Sequence, residues 1–108
     1  MTLEEFERRI MTVAVASPIC DIPVVVRLTS TAIKLRIGVL NGHFMDAFYN
    51  EQTGTTAYAL IRGTERIFGA DNAGGWHVHP FADPIRHDPL SAEITFADFM
   101  IEIEQAVK

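Results

Sequence analysis

Residues 32–49 constrain the fold of this chain more than any other stretch. From Ala32, the apolar residues Ile33, Leu35, Ile37 and Val39 alternate with Lys34 and Arg36. Successive side chains of a strand point to opposite faces, so this is a strand with one buried and one solvated face. Asn41-Gly42 follows. A two-residue hairpin turn needs positive φ at both positions, which these residue types adopt most readily. The chain must therefore return as a second strand, His43 to Tyr49, with His43 an ordinary strand residue. The Asn50–Gly54 loop leads to Thr55–Ile61, and the turn Arg62-Gly63-Thr64 leads to Glu65–Ala70. Loops this short join only antiparallel neighbours. Ile22–Leu28 is a further strand, with Pro23 near its start where proline does least harm, and Thr29-Ser30-Thr31 is its turn. The expected core is an antiparallel meander of four to five strands.

A helix is expected on each side of the meander. Thr2-Leu3-Glu4-Glu5 has capping-box spacing, and Leu3, Phe6, Ile10 and Val13 recur at helical spacing. That helix must stop by Ser17, because Pro18 disfavours helical geometry in the residue before it. Thr95-Phe96-Ala97-Asp98 repeats the cap, and Phe96, Phe99, Met100, Ile103 and Val107 form the second apolar stripe. The fold class is α+β: a meander with an N-terminal and a C-terminal helix packed on one apolar face. The 108 residues fit a single domain, 1–108, large enough to bury its own core.

Bulk properties narrow the function. Cys20 is the one cysteine, so no internal disulfide forms, which suits a reducing compartment. The N-terminus is acidic where a secretory leader is basic. No apolar run approaches the roughly 18 residues of a membrane span. The expectation is a cytoplasmic protein with no membrane partner. A net charge of −5 argues against a non-specific nucleic-acid coat, but leaves room for a local basic patch or a basic partner.

Between the last long strand and the second helix lies Asp71-Asn72-Ala73-Gly74-Gly75-Trp76-His77-Val78-His79-Pro80-Phe81, continuing to Arg86-His87. It holds three of the four histidines and the only tryptophan. A loop anchored at both ends can aim side chains without filling a core, so this stretch is the site candidate. Gly74-Gly75 is a turn, and Trp76 is either a stacking platform or a lid on the core. If the backbone is extended at His77-Val78-His79, both imidazoles converge on one point.

Three chemistries remain open at this stage. One is metal-free RNA cleavage, in which His77, His79 and His87 are acid–base groups. Asp71 and Asn72 would orient them, Arg62, Arg66 or Arg86 would hold phosphate, and Trp76 and Tyr58 would stack or donate. The second is a divalent metal on His77, His79 and His87, for which no cysteine pair or HExxH motif fixes an identity. The third is a non-catalytic binding or assembly domain, in which Trp76 and Phe81 pack and the histidines make structural hydrogen bonds. An exposed strand at a meander edge could also pair with a second copy in a homodimer.

The path from Leu35-Arg36-Ile37 through Asn41-Gly42, Tyr49-Asn50-Glu51-Gln52-Thr53-Gly54 and Tyr58 into Asp71-Asn72-Ala73 and His77-Val78-His79-Pro80 resembles the TumE-like family. The likeness covers about residues 33 to 107. Members are small proteins taken to be the toxin component of bacterial and archaeal toxin–antitoxin pairs, with a ribonuclease-type activity supposed. The resemblance implies RNA as substrate and, as partner, a cognate antitoxin that is a small DNA-binding protein. Asp71, Asn72, His77 and His79 match the polar part of the family pattern. Gly74-Gly75-Trp76 stands where the family shows proline and histidine, Ala59-Leu60 follows Tyr58 in place of histidine–tryptophan, and the later histidine cluster is reduced to His87.

Overall fold

In the computed structural model, described for residues 1–81, 85–86 and 88–107, one antiparallel sheet is backed by two helices. Helix α1 spans Leu3–Ala16. Strands β1 (Val24–Leu28), β2 (Ala32–Val39), β3 (His43–Asn50), β4 (Thr56–Arg62), β5 (Glu65–Asp71), β6 (His77–His79) and β7 (Asp88–Pro89) follow, and α2 is Phe96–Val107. The strands lie in the sheet in chain order, each antiparallel to the next. No helix among the described residues is long and apolar enough to cross a membrane.

The α+β class and the two helices are as expected, but the sheet has seven strands where the sequence suggested four to five. The additions are β6 and β7, of three and two residues, inside the stretch read as an irregular loop. So few residues carry no readable alternation, and they are held by pairing with their neighbours. The long strands match to within two residues at each end.

Local chemistry explains the junctions. Asn41 (φ 64°) and Gly42 (φ 76°) both take the left-handed conformation, but Val39 pairs with His43, so the β2–β3 turn holds three residues, Leu40 to Gly42, where the sequence suggested two. Thr2 Oγ1 accepts from the Glu5 amide and Glu5 Oε1 accepts from the Thr2 amide, each at 3.1 Å, so the expected capping box caps α1. Thr95 and Asp98 make the same reciprocal pair at α2, at 3.0 and 3.1 Å. The helices are tied to each other by Ser17 Oγ donating to Glu104 at 2.9 Å. Asn41 Nδ2 donates to the Val107 carbonyl at 2.8 Å and so ties α2 to the first hairpin.

The strand register separates two faces. Ile33↔Tyr49, Leu35↔Ala47 and Ile37↔Met45 put these side chains together. Ala47↔Tyr58, Met45↔Leu60, Leu60↔Phe68 and Tyr58↔Ala70 carry the same face across the sheet. Phe6, Ile10 and Ala14 of α1 and Phe99, Met100 and Ile103 of α2 pack on it in one buried cluster. Leu35, Ile37, Met45, Leu60 and Ile103 are fully buried. Each such side chain stabilises the fold by about 1.5–3 kcal/mol relative to exposure. The opposite face carries Lys34, Arg36, Phe44, Asp46, Phe48, Ala57, Ala59 and Ile61, and among the described residues no helix lies over it.

Candidate functional site

The site forms on this uncovered face, where β5 meets β6. Asp71 pairs with His77 and Gly69 with His79, so Gly69, Asp71, His77 and His79 all share that face. The extended backbone of β6 sends both imidazoles the same way, as their spacing implied. Asp71 lies between them. His77 Nε2 is 3.1 Å from Asp71 Oδ1, and His79 Nε2 is 3.0 Å from Asp71 Oδ2. The rings meet edge to face with centroids 5.1 Å apart. The His79 side chain is 3 % exposed, that of His77 13 %.

The outer nitrogens differ. His79 Nδ1 lies 3.3 Å from Arg66 Nη2. A carboxylate only accepts and a guanidinium only donates, so His79 carries its proton on Nε2 and accepts at Nδ1. His77 Nδ1 lies 3.0 Å from the Gly75 carbonyl. Both of these partners are acceptors, so each contact needs a proton on the ring nitrogen that faces it. Gly74 and Gly75 (φ 70° and 107°) supply the backbone that brings this carbonyl to the ring.

Gly69 makes room for the arrangement. A Cβ there would lie 3.1 Å from the Tyr58 carbonyl oxygen, 3.2 Å from Arg66 Cδ and 3.5 Å from His79 Cδ2. The Arg66 stem thus crosses the strand where a side chain is missing and delivers the guanidinium to His79. A glycine inside a strand pattern is itself a signal of close approach, and it could have been read from the sequence.

The other expected residues go elsewhere. Asn72 is a turn anchor: its Oδ1 accepts from the Thr56 amide at 2.8 Å and its Nδ2 donates to the Gly54 carbonyl at 2.9 Å. Tyr58 is on the helix-covered face, against Trp76, Phe96 and Phe99, with ring centroids 5.4–6.4 Å away. Burial first, and then the charges of Glu93 and Asp98, push its hydroxyl well above the ordinary tyrosine value. Trp76 stacks on Tyr58 and packs against the core, so it is the lid of the two readings open for it. Arg62 sits at the β4–β5 turn, at the far end of β5 from Asp71. Arg86 grips Asp88 with two hydrogen bonds of 2.9 and 2.8 Å. His87 lies outside the described residues.

For a metal, the ligand atoms of Asp71, His77 and His79 fall within 4.8 Å of one another. Metal-binding histidines usually donate their other N–H to a carbonyl or carboxylate, and His77 Nδ1 facing Gly75 O fits that habit. His79 does not fit it. With Nε2 on a metal, its Nδ1 would carry the proton and face the Arg66 guanidinium, donor against donor.

Beside the cluster, the uncovered face is basic and aromatic. Arg36 holds Asp46 through two hydrogen bonds of 2.9 and 3.2 Å, and its guanidinium lies 4.3 Å from the Phe44 ring centroid. Lys34 Nζ approaches the same carboxylate at 3.4 Å. Comparison of the chain with family models, curated proteins and solved structures gives no match.

Proposed function

We propose that the protein acts on RNA on the uncovered sheet face, as the ribonuclease-type toxin of a toxin–antitoxin pair. The observation that carries this reading is the linked group His77–Asp71–His79–Arg66, which puts two imidazoles, a carboxylate and a guanidinium within hydrogen-bond reach in series. Support for the target comes from the lysine, arginine and phenylalanine side chains beside it. The TumE-like resemblance supplies the toxin context and the cognate, DNA-binding antitoxin as partner, and it fits a cytoplasmic protein.

Cleavage of RNA through its own 2′-hydroxyl needs a base, an acid and a cation at the phosphate. His77 is the better placed for proton transfer, being the more exposed of the pair. Asp71 fixes its ring through Nε2, and release of the Gly75 carbonyl turns Nδ1 to the substrate. Such a ring, held by a carboxylate on one nitrogen and working through the other, follows the logic of hydrolase triads. With its one proton on Nε2 toward Asp71, His77 takes the 2′-hydroxyl proton at Nδ1, the P–O2′ bond forms and the P–O5′ bond breaks. When Arg66 turns to the phosphate it uncovers His79 Nδ1, which takes up a proton from solvent and passes it to the leaving 5′ oxygen, while Nε2 keeps its own proton toward Asp71. The products are a 2′,3′-cyclic phosphate and a 5′-hydroxyl end.

The convergence of three ligand atoms favours a second reading, a divalent metal on Asp71, His77 and His79. It requires Arg66 to leave His79. Incubating the protein with total RNA, with and without chelator, separates the two. Cleavage that survives chelator and disappears in His77→Ala supports the metal-free route, and cleavage lost with chelator supports the metal. Absence of cleavage in both arms overturns the enzyme reading and leaves a binding or assembly module.

A further inference from the structure

On the uncovered face, a depression of about 300 Å³ lies next to the histidine cluster. Its floor is Ala57 and Ala59 of β4. Asp46 and Phe48 of β3 with Lys34 of β2 form one wall, and Arg66 of β5 and Ile61 close the other. The register explains the shape: Phe48↔Ala57 and Asp46↔Ala59 pair a large residue with a small one, and Ala59↔Gly69 continues the low floor toward β6. Two alanines and a glycine in line leave backbone uncovered where larger side chains would fill the face. Small-molecule sites start at about this volume.

The wall chemistry selects among ligands. Phe48 is half-buried and offers a ring, whereas the Phe44 ring is already covered by Arg36. Asp46, 7 % exposed as a residue, is a fixed acceptor at the bottom of the wall: Arg36 holds both carboxylate oxygens and Lys34 approaches Oδ2, which leaves a lone pair on Oδ1 for a further donor. Lys34 and Arg66 are cations on opposite sides. Arg66 also touches His79, so it borders the depression and the cluster at once. A flat ring with amino groups on its edge, carried on a phosphate chain, matches this set: ring on Phe48, amino group toward Asp46, phosphate on Arg66.

We infer that this depression is a nucleobase subsite for single-stranded RNA, which seats one base so that the adjoining phosphate meets Arg66 beside His77. Recognition of unstacked bases on an aromatic-bearing sheet is how single strands are bound without reading a duplex, whose bases are already stacked. The inference rests on the RNA reading above and specifies where the strand lies.

The test is fluorescence anisotropy with an end-labelled single-stranded RNA, its duplex, and four variants. His77→Ala serves as the non-cleaving host. In that background, Ala59→Leu fills the floor, Phe48→Ala removes the ring and Phe48→Tyr keeps it. Circular dichroism checks folding, and Ala57→Leu is a second filling variant if Ala59→Leu misfolds. Expected are single-strand binding that exceeds duplex binding, a loss of about fivefold or more in Ala59→Leu and Phe48→Ala, and retention in Phe48→Tyr. If the RNA is cleaved by the unmodified protein but all variants bind like the host, the subsite is wrong while the RNA reading stands. If the unmodified protein neither binds nor cleaves any RNA, the RNA reading itself falls and takes the subsite with it.

Discussion

Leu60 and Ala59 are neighbours in β4 and face opposite ways. Leu60 is fully buried with Met45, Phe68 and the two helices, while Ala59 is half-buried on the face that neither α1 nor α2 covers. The same contrast runs along every long interior strand. One face is filled with large apolar side chains and contributes most of the stability. The other keeps small residues, cations, two phenylalanines and the Asp71–His77–His79 cluster. The sheet thus separates the residues that hold it together from those that can meet a ligand, and substitutions should fall into two groups according to the face they alter.

The largest expected effect belongs to the uncovered face. Asp71→Asn keeps the shape but removes the charge and turns one of the two oxygens that face the rings into a donor, so RNA cleavage should fall by about 100- to 10,000-fold while the fold persists. A rate within a factor of two of the parent would place the chemistry elsewhere. Stability should show the reverse asymmetry. Leu60→Ala should cost about 2–5 kcal/mol in urea unfolding, because it leaves a cavity in a closed core. Its neighbour Ile61→Ala, half-buried on the other side, should cost about 1 kcal/mol or less. Equal losses would mean that the uncovered face is packed after all.

Gly69→Ala tests whether the cluster depends on a missing side chain. The new methyl would press on the Tyr58 carbonyl and Arg66 Cδ, and a loss of about 1–3 kcal/mol is expected. In nitrogen-15 spectra the His79 Nδ1 resonance should move as Arg66 withdraws, and an unchanged resonance would show that the methyl is accommodated.

The smallest effect concerns pH on the covered face. Tyr58 ionises well above its ordinary value of 10.0 because it is buried. The unfolded chain then releases its proton first as pH rises through about 10, so unfolding is favoured there and stability falls. Tyr58→Phe should flatten that decline in melts at alkaline pH, and an unaltered decline would assign it to other groups.

Much of this was legible in the residues, and what was not has a physical cause. The alternation from Ile33 to Val39, the Asn41-Gly42 turn and both capping boxes mark elements that the structure contains. His77 and His79 converge because an extended dipeptide repeat forces them to. The strand they sit on, β6, and its neighbour β7 escaped notice, since three and two residues are too few for a period. Tyr58 shares its face with Leu60 by simple alternation, a sign that it belongs to the core. Arg66 could not be placed in that way. Leu60 pairs with Phe68 and Ile61 with Arg66, so Ile67 is an extra residue at a β-bulge. Without the bulge, Arg66 would follow Phe68 onto the covered face. With it, the guanidinium reaches His79.

Residue-resolved nuclear magnetic resonance mapping with a short single-stranded RNA and the His77→Ala protein tests the central claim most directly. Shifts concentrated at Lys34, Phe48, Ala57, Ala59, Arg66 and Gly69, with α1 and α2 unmoved, are the expected result. Shifts centred on the helices, or a spectrum that RNA leaves unchanged, would contradict it.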